Sequence, residues 1–303
     1  MRAVRMRRNG GPSVLRLEEV KAPRPAAHEV LVAVSYSGIN PVDAKIRAGK
    51  FPAYVAPLPA ILGRDISGVV CSPGAGGRRR PRRLAEGTAV FGMLDYERGA
   101  YAEYAVGSAR ELAPVPPGLG LRDAGALPAA ALTAWQGLFT HGRLRRGQTV
   151  VILGAAGGVG HLAVQFARVR GARVVAVARR RDLRWLRGLG AGEAVDAAGI
   201  SQRKTPLEAD LIFDLVGGKL RGQCVKALQR PSRIVATVGP RHMVVKANRK
   251  QLEEIGRLVA ARQVRVRIAA EFPLERARAA HERLAAGRNR GKLVLSTRAA
   301  SRA

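Results

Sequence analysis

Only two cysteines, Cys71 and Cys224, occur in 303 residues, which excludes a disulfide framework and a cysteine-built zinc cage and fits a reducing compartment. No run of 18 apolar residues exists, so no membrane-spanning helix is expected. The opening Met1–Arg8 segment lacks the apolar core of a signal peptide and reads as a first strand; a soluble, unexported, cytoplasmic protein is expected. The five histidines, at 28, 141, 161, 242 and 281, are scattered without ligand spacing, so no metal site is expected. Aromatic residues make up 4% of the chain, too few for the stacking platforms of a single-strand nucleic-acid binder. Acidic residues are also scarce: 22 against 53 Lys and Arg, 44 of these Arg, for a formal charge of +31. That charge draws nucleic acid and other polyanions whatever the fold. The arginines are spread along the chain, and only Arg78–Arg83 is dense. The cluster is either a solvated basic loop or a non-specific nucleic-acid contact.

Apolar residues are abundant, at 47%, enough for two domains with cores of their own. Residues 1–120 read as short strands joined by Pro- and Gly-rich turns: 29–36, 66–71, 88–92 and 100–106. From residue 121 the pattern changes. An Ala-rich helix at 123–139 precedes alternating strands and helices at 149–154, 158–170, 173–177, 182–189, 193–196, 210–215, 219–229 and 232–238, the pattern of a parallel sheet covered on both faces. Helices at 249–262 and 275–287 and a strand at 292–296 close the chain. The expected division is 1–120, completed by 270–303, and 121–269.

The most informative segment is Thr149–Gly160, a β-branched run breaking into Gly154-Ala-Ala-Gly-Gly-Val-Gly160 before a helical pattern. A dinucleotide-binding βαβ unit begins this way, because pyrophosphate must meet bare backbone at a helix N-terminus. Gly157 and Gly158 permit the close approach, and Gly160 permits helix–strand packing. The match to G-x-G-x-x-G is imperfect, with Ala155 where the first glycine belongs, and a plain strand–turn–helix is the alternative. Ala156, Gly157, Gly158, Val159 and Gly160 are the candidate cradle. After the next strand an NAD enzyme carries a carboxylate for the ribose hydroxyl; this chain has Arg179, Arg180 and Arg181, whose forked donors suit a 2′-phosphate. NADPH is the expected cofactor, unless these are merely three more arginines in an Arg-rich chain.

Seven ordered segments carry a resemblance: 38–49, 62–70, 99–104, 127–135, the glycine turn, 209–218 and 291–295. Together they resemble the medium-chain dehydrogenase/reductase superfamily, and within it the zinc-independent quinone oxidoreductase (zeta-crystallin-like) branch. The resemblance implies an α/β chain: a Rossmann-type doubly wound parallel sheet that binds NADPH, plus a β-rich, partly open, GroES-like barrel that takes the substrate. It implies hydride transfer to a quinone or an α,β-unsaturated carbonyl. Where zinc relatives carry Gly-His-Glu this chain reads Gly63-Arg64-Asp65, so catalysis without metal is expected. By the same resemblance Asn40 and Asp43 stand at the nicotinamide end, Thr133 bonds the cofactor near its ring and Gly239 borders it. Asn40 also reads as a turn residue before Pro41, and Asp43 as a helix cap.

Two departures from the family pattern bear on activity. The phenols that relatives present near positions 45 and 51 are missing, leaving Tyr54 as substitute and the proton donor unassigned. The segment 240–248 is shorter than in relatives by a few dozen residues, which weakens the expectation of a homodimer. The competing readings are a basic nucleic-acid-binding protein on a reductase scaffold and a catalytically impaired NADPH-binding sensor.

Overall fold

The computed structural model describes residues 1–51, 54, 57–73, 84–202, 205–229, 232–239, 242–287 and 289–297; the Arg78–Arg83 cluster lies outside them. The chain is α/β and divides into two compact units. One comprises Met1–Ala129, Ala247–Ala261 and Ile268–Ala303; the other comprises Ala130–Lys246 and Arg262–Arg267.

In the second unit five strands form a parallel sheet in the order Glu193–Asp196, Arg173–Ala178, Thr149–Leu153, Leu211–Asp214, Arg233–Ala236. Thr149–Leu153 is buried at every position, as a central strand covered on both faces must be. Its neighbours are the strands that follow it and that come third after it, so the winding reverses here, and the crevice beyond its carboxyl end is where such a sheet takes a ligand. The helix Gly160–Val169 follows at once. Trp135 meets Phe139 and Phe166 edge-to-face, with centroids 5.0 and 5.3 Å apart. Among the described residues the sheet ends at Arg233–Ala236, where Ile234 is 46% exposed.

The first unit is built on antiparallel pairing around the long strand Glu29–Ile39, which bonds to Asp65–Pro73, Tyr104–Ser108 and Lys292–Ser296. Ile268–Pro273 extends the sheet on one side, and Ala89–Met93 with Leu112–Pro114 on the other. A smaller sheet joins Arg2–Met6 to Arg16–Glu19 and Ala60–Ile61. This is the β-rich, partly open barrel.

Two expectations about elements change. The helix expected at 123–139 is three pieces, Leu121–Ala126, Pro128–Trp135 and the wider-wound Gln136–His141, because Pro128 has no N–H to continue the first helix and its ring crowds the preceding turn. The strand expected at 100–106 lies at Tyr104–Ser108. Gly99, at φ +63, turns the chain so that the amides of Ala100 and Tyr101 both bond to the Leu62 carbonyl, at 2.8 and 2.9 Å. Tyr101 is thereby carried into the core, fully buried.

Candidate functional site

The glycine turn of the second unit is held by its own backbone. The amides of Gly154 and Ala155 donate to the Val177 carbonyl, at 3.0 and 3.1 Å, tying the turn to the end of the strand that leads into Arg179. His161 is fully buried; its Nδ1 lies 2.9 Å from the Gly157 carbonyl and its Nε2 accepts from the Arg267 amide at 3.2 Å. With Nε2 accepting, Nδ1 must carry the proton and donate to Gly157. The sequence marked His161 only as the start of a helix, whereas the structure makes it the pin under the turn.

Ala156, Gly157, Gly158 and Val159 are half-buried, and the amides of Gly158, Val159 and Gly160 find no acceptor among the described residues. Three unclaimed donors at the start of a ten-residue helix fit a diphosphate, by charge as well as hydrogen bonding. Gly160 serves packing. A Cβ there would lie 2.6 Å from the Ala155 Cα and closer still to the Gly154 carbonyl oxygen, both backbone atoms that cannot step aside. Gly160→Ala is therefore expected to destabilise the protein by about 1–3 kcal/mol and to spread the turn, weakening nucleotide uptake. Thermal melts and a fluorescence titration with NADPH check this, and an unchanged melt with unchanged binding contradicts it.

Arg179 and Arg180 are both exposed and follow directly on Arg173–Ala178. Thr133 is half-buried in Pro128–Trp135, and Gly239 is exposed at φ +96. All the expected cofactor residues fall in the second unit, whereas Asn40, Asp43 and Tyr54 fall in the first.

Asn40 and Asp43 belong to a buried polar network. Asn40 is the N-cap of the helix Pro41–Arg47; Asp43, read from the sequence as its N-cap, is instead its third residue, and its Oδ2 accepts from the Asn40 amide at 2.7 Å. The same oxygen accepts from the Tyr101 hydroxyl at 2.9 Å. Since that hydroxyl proton goes to Asp43, the Tyr101 oxygen accepts from His281 Nε2, 3.2 Å away, and His281 Nδ1 accepts from Arg47 Nη1 at 2.8 Å. Burial pushes the Asp43 carboxyl up to about 6, against the pull of its two donors. Burial, helped by the Arg47 charge, pushes His281 down to about 3. Asp43 Oδ1 is buried with no partner among the described residues.

The Asn40 side chain turns the other way. Its Nδ2 donates to Asp65 Oδ2 at 2.9 Å, and its Oδ1 receives Lys292 Nζ at 2.5 Å. Lys292 Nζ also lies 3.4 Å from Asp65 Oδ2, while Asp65 Oδ1 accepts the Ala129 amide at 2.7 Å. Burial raises the Asp65 carboxyl, with the Lys292 charge opposing.

Tyr54 is half-buried and stacks on Tyr96, with centroids 5.1 Å apart and planes 20° apart. Phe51 meets the same ring at 5.4 Å, and the Arg64 guanidinium carbon lies 3.9 Å from its centroid. Burial raises both phenols, and Arg64 pulls that of Tyr96 the other way. Sequence reasoning missed Tyr96 as well as Tyr101, Arg47, Lys292 and His281. Two signals were available: a lysine inside the apolar run 292–295, and a tyrosine directly after the Gly99 turn. Among the described residues no group of three or more His, Cys, Asp or Glu is placed to hold a metal ion, and no helix is long and apolar enough to cross a membrane.

Residues 26–117 match the family described as alcohol dehydrogenase GroES-like domain, and residues 189–295 match that described as zinc-binding dehydrogenase. The quinone oxidoreductase of Mus musculus is 30% identical, the alignment covering 97% of each chain. The NADPH-dependent alkenal/one oxidoreductase of Arabidopsis thaliana chloroplasts is 32% identical over 94% of this chain and 77% of its own. The solved structure of the quinone oxidoreductase from Coxiella burnetii superposes with a TM-score of 0.89 at 30% identity, covering 98% of this chain and 99% of the other. The chain therefore belongs to the medium-chain dehydrogenase/reductase superfamily, in its quinone oxidoreductase branch, and is an oxidoreductase.

Proposed function

We propose that this protein is an NADPH-dependent reductase that passes hydride to a quinone or to the β-carbon of an α,β-unsaturated carbonyl. The observation that carries the reading is the turn at 156–160: three amides at a helix start with no acceptor among the described residues, fixed by His161 and tied through Val177 to a strand whose end presents two exposed arginines. NADPH, when bound, supplies the hydride and its two electrons. The chain's own part is to hold the diphosphate on the amides of Gly158, Val159 and Gly160 and the 2′-phosphate on Arg179 and Arg180. Thr133 and Gly239 complete the cofactor site in this reading. Asn40, Asp43 and Tyr54 serve the acceptor side, with Asn40 and Asp43 immobilised by the network described above. The similar proteins named for quinone and for alkenal/one reduction support this acceptor class.

Arg180→Ala tests the cofactor assignment. A charge-assisted bond to a phosphate contributes on the order of 1.5–3 kcal/mol, so NADPH binding should weaken by roughly 10- to 100-fold while NADH binding stays unchanged. Wild-type protein should also prefer NADPH; equal affinity for the two coenzymes refutes the phosphate site. Turnover with NADPH on a panel of quinones and short enones tests the reaction, and its absence throughout would leave a nucleotide-binding protein without this activity.

A further inference from the structure

Arg47, Arg64 and Lys292 are buried cations of the first unit, whose buried carboxylates are Asp43, Asp65 and Glu111. Lys292 faces Asp65. Arg47 is occupied by His281 and by the Gly10 carbonyl. Arg64, 5% exposed, spends its Nε on the Leu94 carbonyl at 2.7 Å, and the Leu94 amide returns a bond to the Arg64 carbonyl at 2.8 Å. Among the described residues no carboxylate lies within 4.0 Å of its guanidinium. Its sequence neighbour Asp65 is turned away, committed to Asn40, Lys292 and the Ala129 amide.

A guanidinium taken out of water without a carboxylate in contact is costly, and such a cost is retained where the charge has work to do. The surroundings say what work. The Arg64 fork lies on the ring of Tyr96, and Tyr96 is stacked nearly parallel with half-buried Tyr54. Two flat, half-exposed phenols beside a planar cation that makes no ion pair among the described residues, though it interacts with Tyr96 and its charge acts on Asp65, offer a surface for a planar conjugated molecule and N–H donors for an oxygen at its edge. Gly63 fixes this placement. It sits at φ +90 directly before Arg64, and a Cβ there would run into the Tyr101 ring, so the residue ahead of Arg64 can only be a glycine while Tyr101 fills the core.

We propose that Arg64, with the Tyr54–Tyr96 pair beside it, is an oxyanion site that takes the carbonyl oxygen of a flat conjugated acceptor and holds the negative charge that develops on it. This rests on the reductase reading above. In an enone the β-carbon gains the hydride with its two electrons from the reduced nicotinamide, which leaves oxidised. The C=C pair moves to form the enolate, whose oxygen pairs with Arg64. Water then protonates the α-carbon and the carbonyl is restored. A quinone passes in the same way through its hydroquinone monoanion, and a proton from water completes it. A donor aimed at the developing charge and rigidly held beforehand lowers the barrier more than it tightens ground-state binding.

The test separates the site from the reaction. Benzoate, a flat carboxylate that mimics the enolate, is titrated by calorimetry into wild-type protein and into Arg64→Met, Arg64→Lys and, as a control for the general positive charge, the exposed Arg110→Met. Benzoate binding is expected to weaken at least tenfold in Arg64→Met, to weaken severalfold in Arg64→Lys, which keeps the charge and loses the fork, and to stay unchanged in Arg110→Met. Should Arg64→Met fail to fold, the lysine variant carries the test. Binding that is equal in wild type and the folded Arg64 variants, or absent from wild type, overturns the proposal. With an enone acceptor, kcat should fall by about 10²–10³ in Arg64→Met with the KM for NADPH unchanged. A wild-type protein that binds benzoate through Arg64 yet reduces no acceptor keeps the anion site and refutes the reductase reading. Full turnover with intact benzoate binding in Arg64→Met does the reverse.

Discussion

Lys292→Met should lower the stability of the protein by about 3–5 kcal/mol at neutral pH, because it removes the one cation that, among the described residues, pairs with the fully buried Asp65 and leaves a carboxylate in the core. For a protein of this size that is a fall in melting temperature on the order of 10 °C. The hydrogen bonds from Asn40 Nδ2 and the Ala129 amide remain, but neither brings a charge. Two companion measurements separate this cause from lost packing. The deficit should shrink as pH falls, since burial already raises the Asp65 carboxyl and loss of Lys292 raises it further, so that a proton takes the place of the lysine. The double variant Asp65→Asn/Lys292→Met should recover most of the loss, whereas a packing defect would persist. A Lys292→Met protein within 1 kcal/mol of wild type would show that the pair is neutral on balance.

Lys292 also shows what a sequence discloses. The strand Lys292–Ser296 was legible to the residue, from β-branched and leucine side chains and a preceding glycine. The role of its lysine was not, because its partners, Asn40 and Asp65, lie 252 and 227 positions away and no local pattern encodes a pairing that long. The parallel sheet was read almost intact, since its three inner strands are buried on both faces and their apolar runs are nearly continuous. Arg16–Glu19 and Ile268–Pro273 went unseen. The first reads RLEE, with no buried alternation to reveal it. Asn40, Asp43 and the glycine turn were named from their residue types and the family likeness. Arg64, Tyr96 and Tyr101 were passed over as site residues, although two of them stood in quoted motifs, because only folding brings the 64 and 96 loops onto one ring.

The buried line Arg47–His281–Tyr101–Asp43 should give the stability of this protein an unusual dependence on pH, with two of its members pulling in opposite directions. His281 has an ordinary value of 6.5 and is pushed down to about 3. A depressed base favours the fold above 6.5 and loses that contribution as pH falls below it, because the unfolded chain takes up a proton that the folded one refuses. Asp43 has an ordinary value of 3.8 and is pushed up to about 6. A raised acid does the opposite: its contribution is complete below 3.8 and disappears as pH rises through 6. Between pH 6 and 4 each changes stability by about 1.4 kcal/mol per pH unit, and the two oppose each other. The single variants should therefore diverge. Asp43→Asn, which stays neutral, should lose stability relative to wild type as pH falls from 6 to 4, because the histidine penalty is no longer offset. His281→Gln should gain relative to wild type over the same interval. Contributions from other carboxylates, Asp65 included, are common to all three proteins and drop out of the differences. Denaturant titrations at pH 6, 5 and 4 read these differences directly. Parallel curves for the three proteins would mean that neither group titrates in the folded chain at a value far from its ordinary one, and would remove the argument that the hydroxyl of Tyr101 is held between a carboxylate and a neutral imidazole.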